Sequence, residues 1–540
     1  MLSTVHATFT ATAARTPDAD FLITEAVTAR AYGIAPGAIS WGAAAARVER
    51  LRAAYAAAGH GHGHRVGLLL ENRPAFLLHW FALNALGVSV VPINADMRSA
   101  ELAYLIGHSE IGLAVTLPGR VDELHAAAAQ SGIALDTMSA DGAMPPARTA
   151  PPRAGEPVGA DTECALLYTS GTTGRPKGCM LSNAYFLRAG EWYAALDGVC
   201  SVRRDTERVI TPLPQSHMNA MACSTMVVLT AGGCLVQLDR FHPASWLQSA
   251  RESDATIAHY LGVMPAMLLS AQPAPSDREH AIRWGFGAGV DRKNQAPFEA
   301  RFGFPLVEAW AMTETGAAAC IMANHEPRQV GTSCFGQQQD FVEVRLLDDE
   351  GRDAAVDAPG ELLVRSAGAD PRRYFFSGYL KDEAATREAW ADGWFHTGDL
   401  VRRDVDGNFF FVDRKKNVIR RSGENISAVE VESVLNQHPA VLASAVAATP
   451  DALRGDEVLA CIVLRDGVDA KQRAQLAASI VQHALEQLAY YKAPGYVAFV
   501  AALPLTPSQK IQRGQLRDMA RTLPAQPHCV DTRALKKRQA

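Results

Sequence analysis

The sequence predicts an α/β protein: a large N-terminal domain of βαβ-type sheets with a small antiparallel subdomain, then a smaller α+β C-terminal domain. Three observations predict it. Apolar strand-like runs alternate with helical patterns through roughly the first four hundred residues. Between 341 and 412 the runs shorten and are separated by Gly and Asp turns. After 413 a charged segment leads into a compact α+β stretch that reaches 510. A chain of 540 residues is also too long for a single hydrophobic core.

Taken in order, 65–71 (RVGLLLE) reads as a strand, 75–86 as an apolar helix and 88–94 (VSVVPIN) as a second strand. A helix over 101–108 and a strand over 112–117 follow. Such alternation implies parallel sheets covered by helices. A linker rich in Pro, Ala and Gly spans 140–158, and the pattern resumes at 208–213, 234–238, 255–260 and 283–286. The most apolar long stretch, 218–238, is interrupted by Asn219, Ser224, Thr225, Thr230, Gly232 and Gly233. It reads as a buried helix plus strand, not a membrane span. Short strands at 342–347, 361–365 and 408–412 mark the antiparallel subdomain, and no internal repeat is present.

Composition excludes several classes. With 48% apolar and 20% charged residues the chain is ordinary for a globular protein. A formal net charge of -5 gives no electrostatic reason to expect nucleic acid as a partner. The basic end, Lys536, Lys537 and Arg538, is expected to be a solvated tail. Nine scattered cysteines without a CxxC pair argue for reduced thiols in a cytoplasmic protein and against a zinc site. No signal peptide is expected, because Asp18 and Asp20 arrive early and no basic n-region precedes an apolar core. His60, His62 and His64 alternate with glycines and are expected on an exposed turn, not in a metal site.

The stretch 166–178, LLYTSGTTGRPKG, carries the most chemical information. An apolar run enters a turn in which Gly171 and Gly174 let backbone N–H groups converge on an anion. Thr169, Ser170, Thr172 and Thr173 offer hydroxyls, and Lys177 supplies a point charge suited to phosphate. A Walker A loop is excluded, since Pro176 and Gly178 break that pattern.

This loop resembles the phosphate-binding signature of the adenylate-forming superfamily, which comprises acyl-CoA synthetases, luciferases and adenylation domains. Further motifs stand in the superfamily's order, so the resemblance covers most of the chain. Pro214-Gln215-Ser216-His217-Met218-Asn219-Ala220 resembles the motif whose aromatic or His residue sits beside the substrate carboxylate. Gly287-Ala288-Gly289 and Trp310-Ala311-Met312-Thr313-Glu314 resemble the adenine-binding segment and the YGxTE motif. Gly378-Tyr379-Leu380 and 392–399 (DGWFHTGD) match the segment ending in a ribose-binding Asp. Asp413-Arg414-Lys415-Lys416 looks like the hinge, Ser422-Gly423-Glu424-Asn425 like the loop beside the CoA thiol, and 504–511 like the motif of the catalytic lysine. By texture, the chain is most like acyl-CoA synthetases, with crotonobetaine/carnitine–CoA ligases among the nearest resemblances.

The resemblance implies a domain over 1–413 that binds ATP and a carboxylic acid, and a mobile domain over 414–540. It implies a ligase that joins acid to CoA through an acyl-adenylate, with ATP, Mg²⁺ and CoA taking part. In that scheme Glu314 holds Mg²⁺ with Thr313 assisting, and Lys510 neutralises charge at the α-phosphate. His217 meets the acid, Trp310 stacks on adenine, and Asp399 and Arg414 take the ribose. Lys416 is the hinge, and Gly423 lets pantetheine pass. The acid's pocket is expected between the helix after His217, the segment 260–269 and Gly287–Gly289. His259, Tyr260, Met264, Met267 and Met218 suggest an apolar or mixed wall, with Arg283 as a candidate cation. A monocarboxylic acid is favoured, a carnitine-like acid stays open, and so does a homodimer.

Three departures stand out: Trp310-Ala311 replaces Tyr-Gly, Gln509 replaces a glycine, and 331–336 only loosely follows the GSVG segment. Rival readings are an amino-acid adenylation module, a luciferase-like oxidase and a nucleotide-binding protein without catalysis. Against the first, Met218 stands where an Asp would pair with an α-ammonium.

Overall fold

The computed structural model of the chain describes residues 3–169, 175–290, 292–348, 350–414, 418–465, 472–504, 511 and 513–536. Two compact units form, one of residues 1–95, 106–168 and 178–413, the other of 96–105, 169–177 and 414–540.

The first unit contains two large sheets whose interiors are parallel, as the βαβ alternation predicts. In one, Arg65–Leu69 lies between Ser89–Pro92 and Leu113–Thr116, parallel to both. In the other, Cys234–Gln237, Arg208–Thr211, Ile257–Leu261, Trp284–Ala288 and Leu306–Trp310 run parallel in that order. Short antiparallel strands, Gly37–Ser40 and Ile321–Met322, close the edges of the second sheet.

One core joins the two sheets. Helix Pro74–Asn84 starts on a proline at its first turn, where no intrahelical N–H partner is lost. From Phe76 to Asn84 every residue is buried, as befits a helix apolar on all sides. Phe81 stacks on Phe9 at 4.8 Å, and Phe21 meets Trp41 at 4.3 Å. The same cluster takes in Val66 and Leu68 from one sheet and Val209, Leu235 and Trp284 from the other.

The histidine run departs from expectation: His60 and His62 are buried. His60 Nε2 pairs with the carbonyl of Pro145 (3.1 Å), His62 Nδ1 with that of Glu156 (3.2 Å) and His64 Nε2 with Thr149 Oγ1 (3.3 Å). The Pro-rich linker is poor in ladder partners of its own, and the rings supply groups that satisfy it. Among the described residues no group of three or more His, Cys, Asp or Glu is placed to hold a metal ion.

The antiparallel subdomain is a five-stranded sheet in the order Cys334–Gln337, Asn408–Arg414, Phe395–Arg403, Gly360–Ser366, Val342–Leu347.

In the second unit, strands alternate their side chains between two apolar layers. Val446, Val458, Ala460 and Ile462 face helices Ala428–Leu435 and Arg473–Gln487. Ala445, Ala447, Leu459 and Cys461 face helix Arg513–Thr522. Residues 96–105 join this unit through Glu101, whose Oε1 accepts a 2.6 Å bond from Lys492 Nζ; the same ammonium bonds Glu430 at 2.9 Å. The tail also departs from expectation, since Lys536 is fully buried. Lys537 and Arg538 lie outside the described residues. Among the described residues no helix is long and apolar enough to cross a membrane.

Candidate active site

In open α/β sheets ligands bind beyond the carboxyl ends of parallel strands. The predicted residues of the first unit gather at such ends. Strand Trp284–Ala288 delivers Gly287, Ala288 and Gly289, and its parallel neighbour Leu306–Trp310 ends in Trp310. Gly287 is required by packing: an added Cβ would lie 2.2 Å from the carbonyl oxygen of Tyr260. Gly289 takes a positive φ of 81°.

A carboxylate not foreseen as a site residue fixes this turn. Glu308, buried within Leu306–Trp310, accepts from the N–H of Gly289 at 2.8 Å, the N–H of Val290 at 3.3 Å and the hydroxyl of Tyr260 at 2.8 Å. Its signal was an acidic residue inside the apolar run LVEAW, since a buried charge must be bonded. Burial and Glu308 together raise the Tyr260 hydroxyl well above its ordinary pKa.

Trp310 and Asp399 meet directly. The buried indole N–H donates to Asp399 Oδ2 at 2.9 Å, joining the parallel sheet to strand Phe395–Arg403. Asp399 is 1% exposed, and its backbone N–H donates to Thr397 Oγ1. The tryptophan that replaces the usual tyrosine therefore orients the carboxylate expected to take the ribose.

Thr313 and Glu314 follow on a turn pinned from two directions. Tyr185, the third residue of helix Asn183–Ala194, donates its hydroxyl to the carbonyl of Thr313 at 2.9 Å. Tyr379 donates to Glu314 Oε1 at 3.0 Å, and Phe376 N–H donates to the Glu314 carbonyl. Burial first and Glu314 second push the Tyr379 hydroxyl far above its ordinary pKa, so it stays protonated and able to donate. Tyr379 was legible in the motif but its role was not, because the partner lies 65 residues away.

Glu314 is buried and offers hard carboxylate oxygen. Mg²⁺ characteristically takes one or two carboxylates and completes its shell with water and substrate phosphates. A single held carboxylate fits that demand, and a full protein cage is not needed.

His217 is half-buried on the turn after Pro214, its N–H bonded to the Pro214 carbonyl. On strand Ile257–Leu261, His259 is fully buried. Its Nε2 pairs with Tyr193 Oη and its Nδ1 with Ser224 Oγ, both at 2.7 Å, and burial drives its pKa down to about 3. It is a neutral strut. Tyr260 and Met264 are also core residues, which leaves Met218 and Met267 half-buried among the expected wall residues. Arg283 stands just before strand Trp284–Ala288, at the end opposite Gly289, and is paired with Glu207. That placement removes it as a substrate cation.

At the loop expected to bind phosphate, Thr169 ends strand Glu163–Thr169 and Lys177 begins Lys177–Ser182. Tyr104 donates to the carbonyl of Pro176 at 2.8 Å, and Arg175 lies over the Tyr104 ring. Ser170, Gly171, Thr172, Thr173 and Gly174 lie outside the described residues, as do Lys416, Lys510 and the side chain of Arg414. Gly423 is exposed in the second unit with φ 86°.

The fold and these strand-end groups define a nucleotide-binding α/β enzyme. Residues 9–380 match the AMP-binding enzyme family and 430–510 match the AMP-binding enzyme C-terminal domain. The chain belongs to the AMP-binding enzyme family. It is 31% identical to a sulfoacetate–CoA ligase of Cupriavidus necator over 497 residues, covering 89% of this chain and 93% of that protein. A crotonobetaine/carnitine–CoA ligase of Salmonella typhimurium is 29% identical, covering 84% and 88%. In fold, the chain resembles a double mutant of the o-succinylbenzoate CoA synthetase from Bacillus subtilis, with TM-score 0.79, 24% identity and coverage of 95% and 98%.

Proposed function

We propose that the chain is an AMP-forming carboxylic acid–CoA ligase, converting acid, ATP and CoA to acyl-CoA, AMP and pyrophosphate. The likeness to a CoA ligase across 89% of the chain carries the reading. The held carboxylates Glu314 and Asp399 supply its local support. A carboxylate is a poor electrophile because its leaving group would be oxide. Transfer of the adenylyl group from ATP gives an acyl-adenylate, from which AMP leaves when a thiol attacks the carbonyl.

In this reading Asp399, oriented by Trp310, accepts hydrogen bonds from the ribose, and Arg414 fixes the same sugar. The 170–178 loop would hold the β- and γ-phosphates. Glu314, with Thr313 assisting, would hold Mg²⁺, which would supply charge neutralisation at the phosphates. Lys510 neutralises the charge that builds as the acid's oxygen meets the α-phosphorus; a donor of this kind is worth roughly 3–4 kcal/mol of barrier. The domain boundary falls at 413/414, and Lys416 is the pivot that separates the two half-reactions. The setting is the cytoplasm.

The substrate is a small carboxylic acid. Sulfoacetate, crotonobetaine and carnitine belong first in a panel, because the similar ligases are named for them. Met218 and Met267 add an apolar contribution to the wall. The test is ATP-dependent thioester formation over a panel of acids, with and without CoA. Thioester with stoichiometric AMP is the expected result. Pyrophosphate release without thioester would assign another acceptor, and no release with any acid would leave a nucleotide-binding protein.

A further inference from the structure

Glu457 in the second unit is a fully buried carboxylate over which the backbone closes: a Cβ added at Gly495 would come within 2.5 Å of its side chain. Arg421 Nε donates to both of its oxygens at 2.9 Å, and the N–H of Val458 donates to Oε1 at 2.8 Å. Lys536 Nζ, also fully buried, adds a 2.5 Å bond to Oε1. Arg454, 3.6 Å from Oε2, is the third and more exposed cation. Burial and the neighbouring Arg421 guanidinium lower the Lys536 pKa to about 7, so bringing this amine inside carries a desolvation cost that packing alone does not explain.

The tail is delivered on purpose-built contacts. Thr532 donates its N–H to the Gly495 carbonyl and its hydroxyl to that of Pro494, just before the turn that carries Lys536. At the other end of the network, Arg421 immediately precedes the Ser422–Gly423 turn and pairs across it with Glu424. Ser422 has φ 51° and Gly423 φ 86°, and the N–H of Ser422 is held by the Arg454 carbonyl. A non-glycine residue in the left-handed region persists only where its surroundings over-determine it.

We propose that Lys536 is a positioning residue for the acceptor half-reaction: through Glu457 it holds Arg421, and so the Ser422–Gly423 turn beside which the acceptor thiol is presented. This rests on the ligase reading above. Lys536 touches no substrate in it.

The test compares the wild-type chain with Lys536→Met, Lys536→Arg and the control Arg533→Ala, which removes an exposed pair with Asp531. Adenylation is read by pyrophosphate exchange, and thioester formation at varied CoA. Lys536→Met is expected to keep adenylation within twofold while thioester turnover falls about tenfold with a raised KM for CoA. Lys536→Arg should restore part of that loss, and Arg533→Ala should match wild type. A parallel fall of both half-reactions, tracking the folded fraction by circular dichroism, would make Lys536 merely structural and overturn the proposal. Unchanged thioester kinetics in Lys536→Met would overturn it too. Absence of thioester from the wild-type chain would instead refute the ligase reading.

Discussion

Hydroxyl and indole donors on two carboxylates decide how this site is set. Tyr379→Phe removes the donor to Glu314 Oε1, so a buried carboxylate loses one hydrogen bond. Hydrogen bonds to charged groups contribute about 1.5–3 kcal/mol. Pyrophosphate exchange should fall by roughly tenfold or more, with a higher Mg²⁺ requirement in a titration of the rate. An unchanged Mg²⁺ dependence would detach Tyr379 from the metal-binding role of Glu314. Trp310→Phe keeps a ring but deletes the N–H that meets Asp399. The KM for ATP should rise about tenfold while kcat moves less, because the loss falls on ribose binding. A fall confined to kcat would contradict that assignment. The sequence made Trp310 and Asp399 legible separately, through their motifs. Their bond across 89 residues was not legible, because no local pattern encodes a contact between two sheets.

Strand spacing sets the next constraint. Gly287 stands opposite Tyr260 in the parallel register, where backbone oxygen occupies the space a Cβ would need. Gly287→Ala should destabilise the first unit by about 2 kcal/mol or more, lowering the midpoint of chemical denaturation. An unshifted midpoint would show that the strands can part without cost. Between these strands and helix Asn183–Ala194, neutral His259 bridges Tyr193 and Ser224. Its folded pKa of about 3 lies below the ordinary 6.5, so the unfolded chain takes up the proton first as pH falls. Stability should therefore decline below pH 6.5, by up to about 1.4 kcal/mol per unit from this residue. Denaturation at pH 7.5 and 5.5 should show a steeper loss in wild type than in His259→Gln. Equal losses would mean that the ring is not kept neutral. Periodicity predicted the strand 255–260 well, but it could not separate a pocket histidine from a core strut. That distinction depends on what packs against the ring.

Across the whole molecule, the proposed reaction would make conflicting demands on one pocket, since pyrophosphate would have to leave before a bulky thiol arrives. Lys416→Pro should leave pyrophosphate exchange within about twofold and cut thioester formation at least tenfold, because proline fixes φ at a position assigned to change it. Parallel collapse of both activities would remove the hinge assignment. The tail belongs to this scale as well. A run of Lys, Lys and Arg at a terminus reads as solvated from charge alone, yet Lys536 is drawn inside by Glu457, which lies 79 residues earlier.

By itself the sequence determined the alternation of strands and helices, the antiparallel subdomain, and the phosphate, Glu314 and Asp399 motifs. Each is written in local periodicity or in contiguous residue types. Only the tertiary structure decided that Glu308 ties down the Gly289 turn, that Tyr185 and Tyr379 hold Glu314, that Arg283 sits at the wrong end of its strand, and that the histidine run clasps a linker. Those outcomes depend on burial. A buried polar group must find a partner wherever the fold brings one, and the sequence does not state where that will be.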